Sequence, residues 1–114
     1  MVPGEDEIAT NLRRGTLEFC VLGVLSEGPA YGLELARRLG TDVPLLASEG
    51  TLYPLLARLR RSGWVQTSWQ ESSSGPPRRY YRLTSDGRAA LDTFLGVWSP
   101  FVAAVNQVVK GAVT

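Results

Sequence analysis

Histidine is missing from these 114 residues, and cysteine occurs once, at Cys20. The first absence removes the commonest acid–base catalyst, and together the two exclude the usual zinc-ligand sets. A single thiol also cannot close an intramolecular disulfide. The chain holds neither a Gly-x-Ser-x-Gly elbow nor a phosphate-cradling Gly-x-x-x-x-Gly-Lys-[Ser/Thr] loop, so nothing in it pairs a nucleophile with a base. An enzyme is the least expected class, and no metal or cofactor is expected. The N-terminal "MVPGEDEIAT" places acids where a secretory signal needs basic residues ahead of an apolar run. No later stretch reaches the ~18 uninterrupted apolar residues of a membrane span. The expectation is a soluble cytoplasmic protein with no membrane partner. Cys20, inside "LEFCVLG", reads as a small buried apolar residue before it reads as a redox sensor.

What is present suits one compact domain, with 44% of residues hydrophobic and 20% charged. The formal net charge of +1 says little by itself, but its distribution is uneven. From Gly50 to Leu83 the chain carries Arg58, Arg60, Arg61, Arg78, Arg79 and Arg82 against the single acid Glu71, a regional charge of +5. Glu5, Asp6 and Glu7 gather at the other end, and residues 1–11 read as a flexible acidic tail.

Three helices are expected first. "GTLEFCVLGVL", Gly15 to Leu25, is apolar almost all round, with Thr16 as its N-cap. "AYGLELARRLG" is short and amphipathic, with Leu35, Ala36 and Leu39 inward, Glu34 and Arg38 paired at i, i+4, and Gly40 as its stop. The third helix is capped by Ser48, carries Leu52, Leu55, Leu56 and Leu59 on one stripe, and closes at "SGW". Two strands follow, Trp64 to Trp69 and Arg78 to Leu83, joined by the turn-forming "QESSSGPP" as a hairpin with a mobile tip. A last helix begins at "TSDG", capped by Thr84 or Ser85 with Asp86 near its positive end. At Pro100 it either kinks or restarts, with Ser99 capping a fresh segment. The fold class is mainly α with a small β-hairpin.

The third helix carries the functional signal. With its leucines inward, its 100° periodicity turns Gly50, Pro54, Ala57 and Arg61 directly outward, with Tyr53, Arg58 and Arg60 at the margins. Three of the four outward residues are small, so the ridge is low and admits close approach. Arginines flank it, and Thr51 and Tyr53 add hydroxyls. Such a helix fits the DNA major groove, which is wide enough for one and displays a base-specific pattern of donors and acceptors. Helix, helix and hairpin then make a helix-turn-helix with a wing, whose root carries Arg78 and Arg79. The plainer reading, a solvated basic face, stays open on spacing alone.

In this order, "LRRGTLEFCVLGVLSEGPAYGLELARRL", "SEGTLYPLLARLRRSGWV" and "SGPPRRYYRLTSDGRAAL" resemble the PadR family of bacterial transcriptional regulators, over Leu12 to Leu91. The resemblance implies a winged helix-turn-helix over residues 12–84 and a C-terminal dimerisation helix over 85–114. It also implies a two-fold dimer and repression through an operator. Its recognition motif falls on Ser48, Gly50, Thr51, Leu52, Tyr53 and Pro54, and its wing motif on Pro76, Pro77, Arg78, Arg79, Tyr80 and Tyr81. Leu52 and one of the two tyrosines belong to the core. Ser48, Thr51, Tyr53, Arg58, Arg60, Arg61, Arg78 and Arg79 are the candidates for DNA contact. The chain departs from the family in carrying Ser85 where many members have Pro, and in Pro100, which bears on dimer geometry.

The last helix has more apolar surface than a small domain needs, which points to a partner, most simply a second copy. Leu17, Val21, Leu91, Phe94, Leu95, Trp98, Phe101, Val102, Val105 and Val109 are the expected interface. Trp98 reads first as interface packing. A second reading, suggested by relatives that sense flat hydrophobic compounds, makes Trp98, with Phe94 and Phe101, a stacking surface for a small aromatic effector. The expected partners are therefore double-stranded DNA bearing a palindromic operator, a second copy, and such a ligand. The competing class is a winged-helix module that binds another protein through its hairpin or last helix.

Overall fold

The computed structural model describes residues 2–46 and 48–111. Helix α1 spans Glu5–Arg14, so the acidic segment expected as a tail is helical for most of its length. The sequence supports it at both ends: Glu5, Asp6 and Glu7 occupy the first turn and Arg13 and Arg14 the last, each sign favoured by the helix dipole there. Helix α2 (Leu17–Leu25) begins directly after Thr16, the expected N-cap position. Thr16 holds the N-cap position but does not cap. Its hydroxyl donates instead to the Leu12 carbonyl at 3.1 Å, tying α1 to α2.

After a two-residue strand, β1 (Ala30–Tyr31), which was not expected, helix α3 covers Gly32–Ala36 and continues as a wider π-helical segment, Arg37–Asp42. The chain thus runs past Gly40, the expected stop. The pairing of Glu34 with Arg38 also fails. Glu34 accepts the Tyr31 N–H at 3.2 Å, while Arg38, carried round by the wider winding, bonds Glu27 at 2.6 Å. That contact holds the Glu27 carboxyl below its usual pKa and raises Arg38. Leu35, Ala36 and Leu39 are buried as expected.

Helix α4 (Glu49–Arg61) buries Leu52, Leu55, Leu56 and Leu59. Full burial of one leucine is worth ~1.5–3 kcal/mol, so the stripe outweighs the roughly 3 kcal/mol cost of Pro54 inside the helix. Ser48 stands at the N-cap with extended backbone but makes no capping bond, its hydroxyl lying 3.3 Å from that of Thr51. Gly63, at φ +77°, takes the left-handed conformation that closes α4, and the Trp64 N–H bonds the Leu59 carbonyl at 3.0 Å.

Strands β2 (Val65–Ser72) and β3 (Gly75–Leu83) are longer than expected, leaving only Ser73 and Ser74 at the tip. The antiparallel sheet has the order β1-β3-β2, with Ala30 opposite Tyr81, Thr67 opposite Tyr81 and Trp69 opposite Arg79. Helix α5 (Ser85–Gly111) is capped by Thr84, whose hydroxyl accepts the Gly87 N–H at 3.0 Å and donates to the Gly63 carbonyl at 2.6 Å.

Pro100 does not end α5, which runs through it without a fresh segment capped by Ser99. Both helical prolines, Pro54 and Pro100, lie four residues after a glycine, Gly50 and Gly96. Glycine is the residue whose backbone yields most readily to the ring of a downstream proline. Residues 112–114 of the expected dimerisation helix lie outside the described residues. By length and a mean hydropathy of 1.2, α5 meets the measure of a membrane-crossing helix, which the search for uninterrupted apolar runs did not anticipate.

Candidate nucleic-acid interface

The core stripe of α4 fixes what its other faces present. Leu52 and Leu56 are wholly buried, and the opposite side exposes Gly50, Pro54, Ala57 and Arg61 to solvent. That face is a low ridge, ending in Arg61, and the Arg60 and Arg61 guanidinium groups have no hydrogen-bond or ion-pair partner among the described residues. The two margins differ. On one, Tyr53 is 48% exposed, but its ring lies over Gly32, where a methyl group would come within 2.8 Å of ring carbon and hydroxyl. This contact packs α4 against the start of α3, so Tyr53 serves the angle between the two helices as well as the surface. On the other margin Ser48 and Thr51 meet, and Arg58 reaches Glu18 of α2 at 3.5 Å. An exposed pair of this kind is worth about 0.2–1 kcal/mol, so a phosphate can displace Glu18 at little cost.

The wing separates two residues that the sequence reading held together. Side chains alternate along β3, so Arg78, Tyr80 and Arg82 point to one face and Arg79, Tyr81 and Leu83 to the other. Tyr81, 7% exposed, is the core tyrosine of the pair. Arg78 lies over the ring of Tyr31, 4.4 Å from its centroid, and Tyr31 meets Tyr80 edge-on at 5.4 Å. Arg79 is folded inward, its guanidinium over Tyr81 and bonded to Thr67 at 3.4 Å, with Nε shut from solvent and unpartnered. Arg78 is therefore the more available of the two.

Four aromatic rings form a ladder from the end of α4 to α5. Trp64 is 5.9 Å from Phe19, Phe19 stacks on Phe94 at 4.3 Å, and Phe94 stacks on Trp98 at 5.4 Å. Beside its outer rungs an apolar groove of about 700 Å³ is lined by Leu12 of α1, Pro44, Leu45, and Phe94, Trp98 and Phe101 of α5. All three residues expected to take an effector thus line one groove.

The expected dimer surface divides. Leu17, Val21 and Leu91 are buried in the chain's own core and offer a partner little surface, because α2 packs against the sheet and α5. Leu95, Trp98, Phe101, Val105 and Val109 are exposed, while Phe94 and Val102 are half-buried. Val97 and Val108 are also exposed, and of these the sequence reading missed Val97. Cys20 is half-buried, and burial pushes its thiol pKa up, which disfavours the reactive thiolate.

Residues 21–93 match the transcriptional regulator PadR-like family. The crystal structure of a PadR family transcriptional regulator from Eggerthella lenta superposes with a TM-score of 0.81 at 35% identity, covering 92% of this chain and 91% of that one. A PadR-like transcriptional regulator from Bacillus cereus gives 0.79 at 33% identity, covering 88% and 97%. Bacillus subtilis PadR in complex with operator DNA shares the fold, with a TM-score of 0.64 at 22% identity over 70% of this chain and 46% of that one.

Proposed function

Because the chain belongs to the PadR-like family of transcriptional regulators, we propose that it binds DNA sequence-specifically as a homodimer. In this reading it represses by occupying an inverted-repeat operator, and a small aromatic or hydrophobic effector releases it. The family is one of transcriptional regulators, which fits the reading of the chain as a non-enzyme. The observation that carries the reading is the exposed ridge of α4, low enough to meet base edges and bordered by the unpartnered Arg60 and Arg61. Bases would be read from Ser48 and Tyr53 at the start of the helix, with Thr51 meeting the sugar-phosphate strand beside them. Arg58, Arg60, Arg61 and Arg78 would meet phosphates, and Arg79 would do so after leaving Thr67.

The second copy would cover the exposed apolar residues of α5. Asn106 and Gln107 favour this over a lipid surrounding, since hydrocarbon leaves side-chain amides unpaired whereas a protein interface can bond them. An effector would enter the groove beside Trp98, stacking on its ring. Trp69, 69% exposed on the wing, is the observation that favours the alternative, a protein-binding module.

Gly50→Phe tests the base-reading face, because Gly50 is exposed and a Cβ there meets only the Ser48 hydroxyl, at 3.7 Å, so the ring is expected to project outward and leave the fold in place. Fluorescence anisotropy on duplex from upstream of the chain's own gene and on scrambled duplex is expected to show a preference of ~100-fold or more for the wild type. The variant should lose that preference and keep its affinity for scrambled DNA. A variant that discriminates as well as the wild type would remove α4 from base reading. Weak and equal binding of the wild type to both duplexes would favour the protein-binding module.

A further inference from the structure

Helix α1 is amphipathic in an informative direction. Thr10, Arg13 and Arg14 share one face at i, i+3 and i+4, while Ile8 and Leu12 lie on the opposite one. The basic face, with Thr10 and Arg14 exposed and Arg13 half-buried, forms one wall of a cleft of about 410 Å³ whose other wall is Thr51, Pro54 and Arg58 of α4. Three arginines meet there, and Glu18 is the only acid lining the cleft. Glu18 is already shared with Arg58 at 3.5 Å, and neither Arg13 nor Arg14 has an ion-pair or hydrogen-bond partner among the described residues. The floor is apolar, formed by Leu17 and Leu55. An apolar floor holds water back and strengthens attraction between the arginines and any anion at the rim.

We propose that Arg13 and Arg14 of α1, with Thr51 and Arg58 of α4, grip the sugar-phosphate strand bordering the groove that α4 enters, so that α1 is part of the DNA-binding surface. The assignment rests on the DNA reading of α4. Its chemistry is that of a polyanionic strand: cationic forks on one wall, a hydroxyl on the other, and no acid free to oppose a phosphate. Phosphates carry no sequence information, so the clamp contributes affinity and register and leaves discrimination to the start of α4. It also gives the acidic first turn of α1 a physical role. Glu5, Asp6 and Glu7 sit about two turns from the arginines, where they favour the helix that presents them without neutralising their charge.

The test is salt dependence, which a purely structural role for the arginines would not move. Upstream and scrambled duplexes are titrated with wild type, R13A/R14A, R13K/R14K and K110A between about 50 and 200 mM salt. The alanine pair is expected to weaken both duplexes about tenfold, with the slope of log affinity against log salt shallower by about 2 and the preference between duplexes unchanged. The lysine pair restores most of the slope. K110A, which removes a charge at the far end of α5, leaves it in place. Unchanged helical circular dichroism in R13A/R14A excludes loss of α1 as the cause. If R13A/R14A keeps the wild-type slope while the wild type binds its upstream duplex, the clamp is overturned and the DNA reading survives. A wild type that binds neither duplex overturns both.

Discussion

The carbonyl of Trp64 presses against Gly87 at the start of α5, and the Leu83 side chain closes the same space, 2.8 Å from where a methyl group would stand. The root of the wing, the end of α4 and the first turn of α5 meet at this one glycine, tied together by the two bonds of the Thr84 hydroxyl. Gly87→Ala is expected to cost about 1–3 kcal/mol, the range for overpacking a filled interior, measured as a lowered midpoint in urea with the slope unchanged. Gly50 is the contrasting case, since a methyl group at its outward position would meet only the Ser48 hydroxyl, at an ordinary contact distance of 3.7 Å. The leucine stripe of α4 could be read directly, because its periodicity is a property of the segment itself. The demands on Gly87 and Gly32 could not, because the Trp64 carbonyl and the Tyr53 ring that impose them arrive from distant parts of the chain. Arg79 lies between these cases. Two-residue alternation sends it to the same side as the core tyrosine Tyr81, and treating Arg78 and Arg79 as one basic pair overlooked it.

Among the elements, those bounded by strong local signals were foreseen most closely. Helix α4 ends at a glycine in the left-handed conformation, and α5 begins at a hydroxyl cap. The misjudged elements depend on neighbours. Strand β1 has two residues and exists because Tyr80 and Tyr81 of β3 offer it an edge. The π-helical segment lets Leu39 reach the core while its carbonyl accepts the Leu45 and Leu46 N–H groups. Helix α1 buries no residue and was read as a tail, although its end charges favour a helix. At this scale α5 makes the firmest demand, since beyond Leu91 its apolar side chains meet little of the chain's own body. Leu95 and Phe101, 55% and 58% exposed, are the residues to change. The wild type is expected to sediment as two chains, and the variant L95E/F101E as a single chain with its helical circular dichroism retained. Persistence of the two-chain species would move the interface elsewhere.

The whole molecule is elongated, with extents of 56 × 31 × 22 Å and a radius of gyration of 16.4 Å. A compact domain of this length would have a radius of gyration near ~13 Å. Helix α5 accounts for the excess, projecting from a small body that carries the exposed ridge of α4 and the wing. Pairing two such helices about a two-fold axis would bury their apolar faces and aim both ridges the same way, toward half-sites about one helical turn apart. The charge follows the same division: the arginines of α4 and the wing give +5 between Gly50 and Leu83, against +1 for the entire chain. The most direct measurement is the stoichiometry of the complex with duplex from upstream of the chain's own gene, by sedimentation equilibrium, with scrambled duplex as competitor. The account predicts two chains per duplex, resistant to an excess of scrambled DNA of about 100-fold. One chain per duplex, or equal displacement by either DNA, would contradict it.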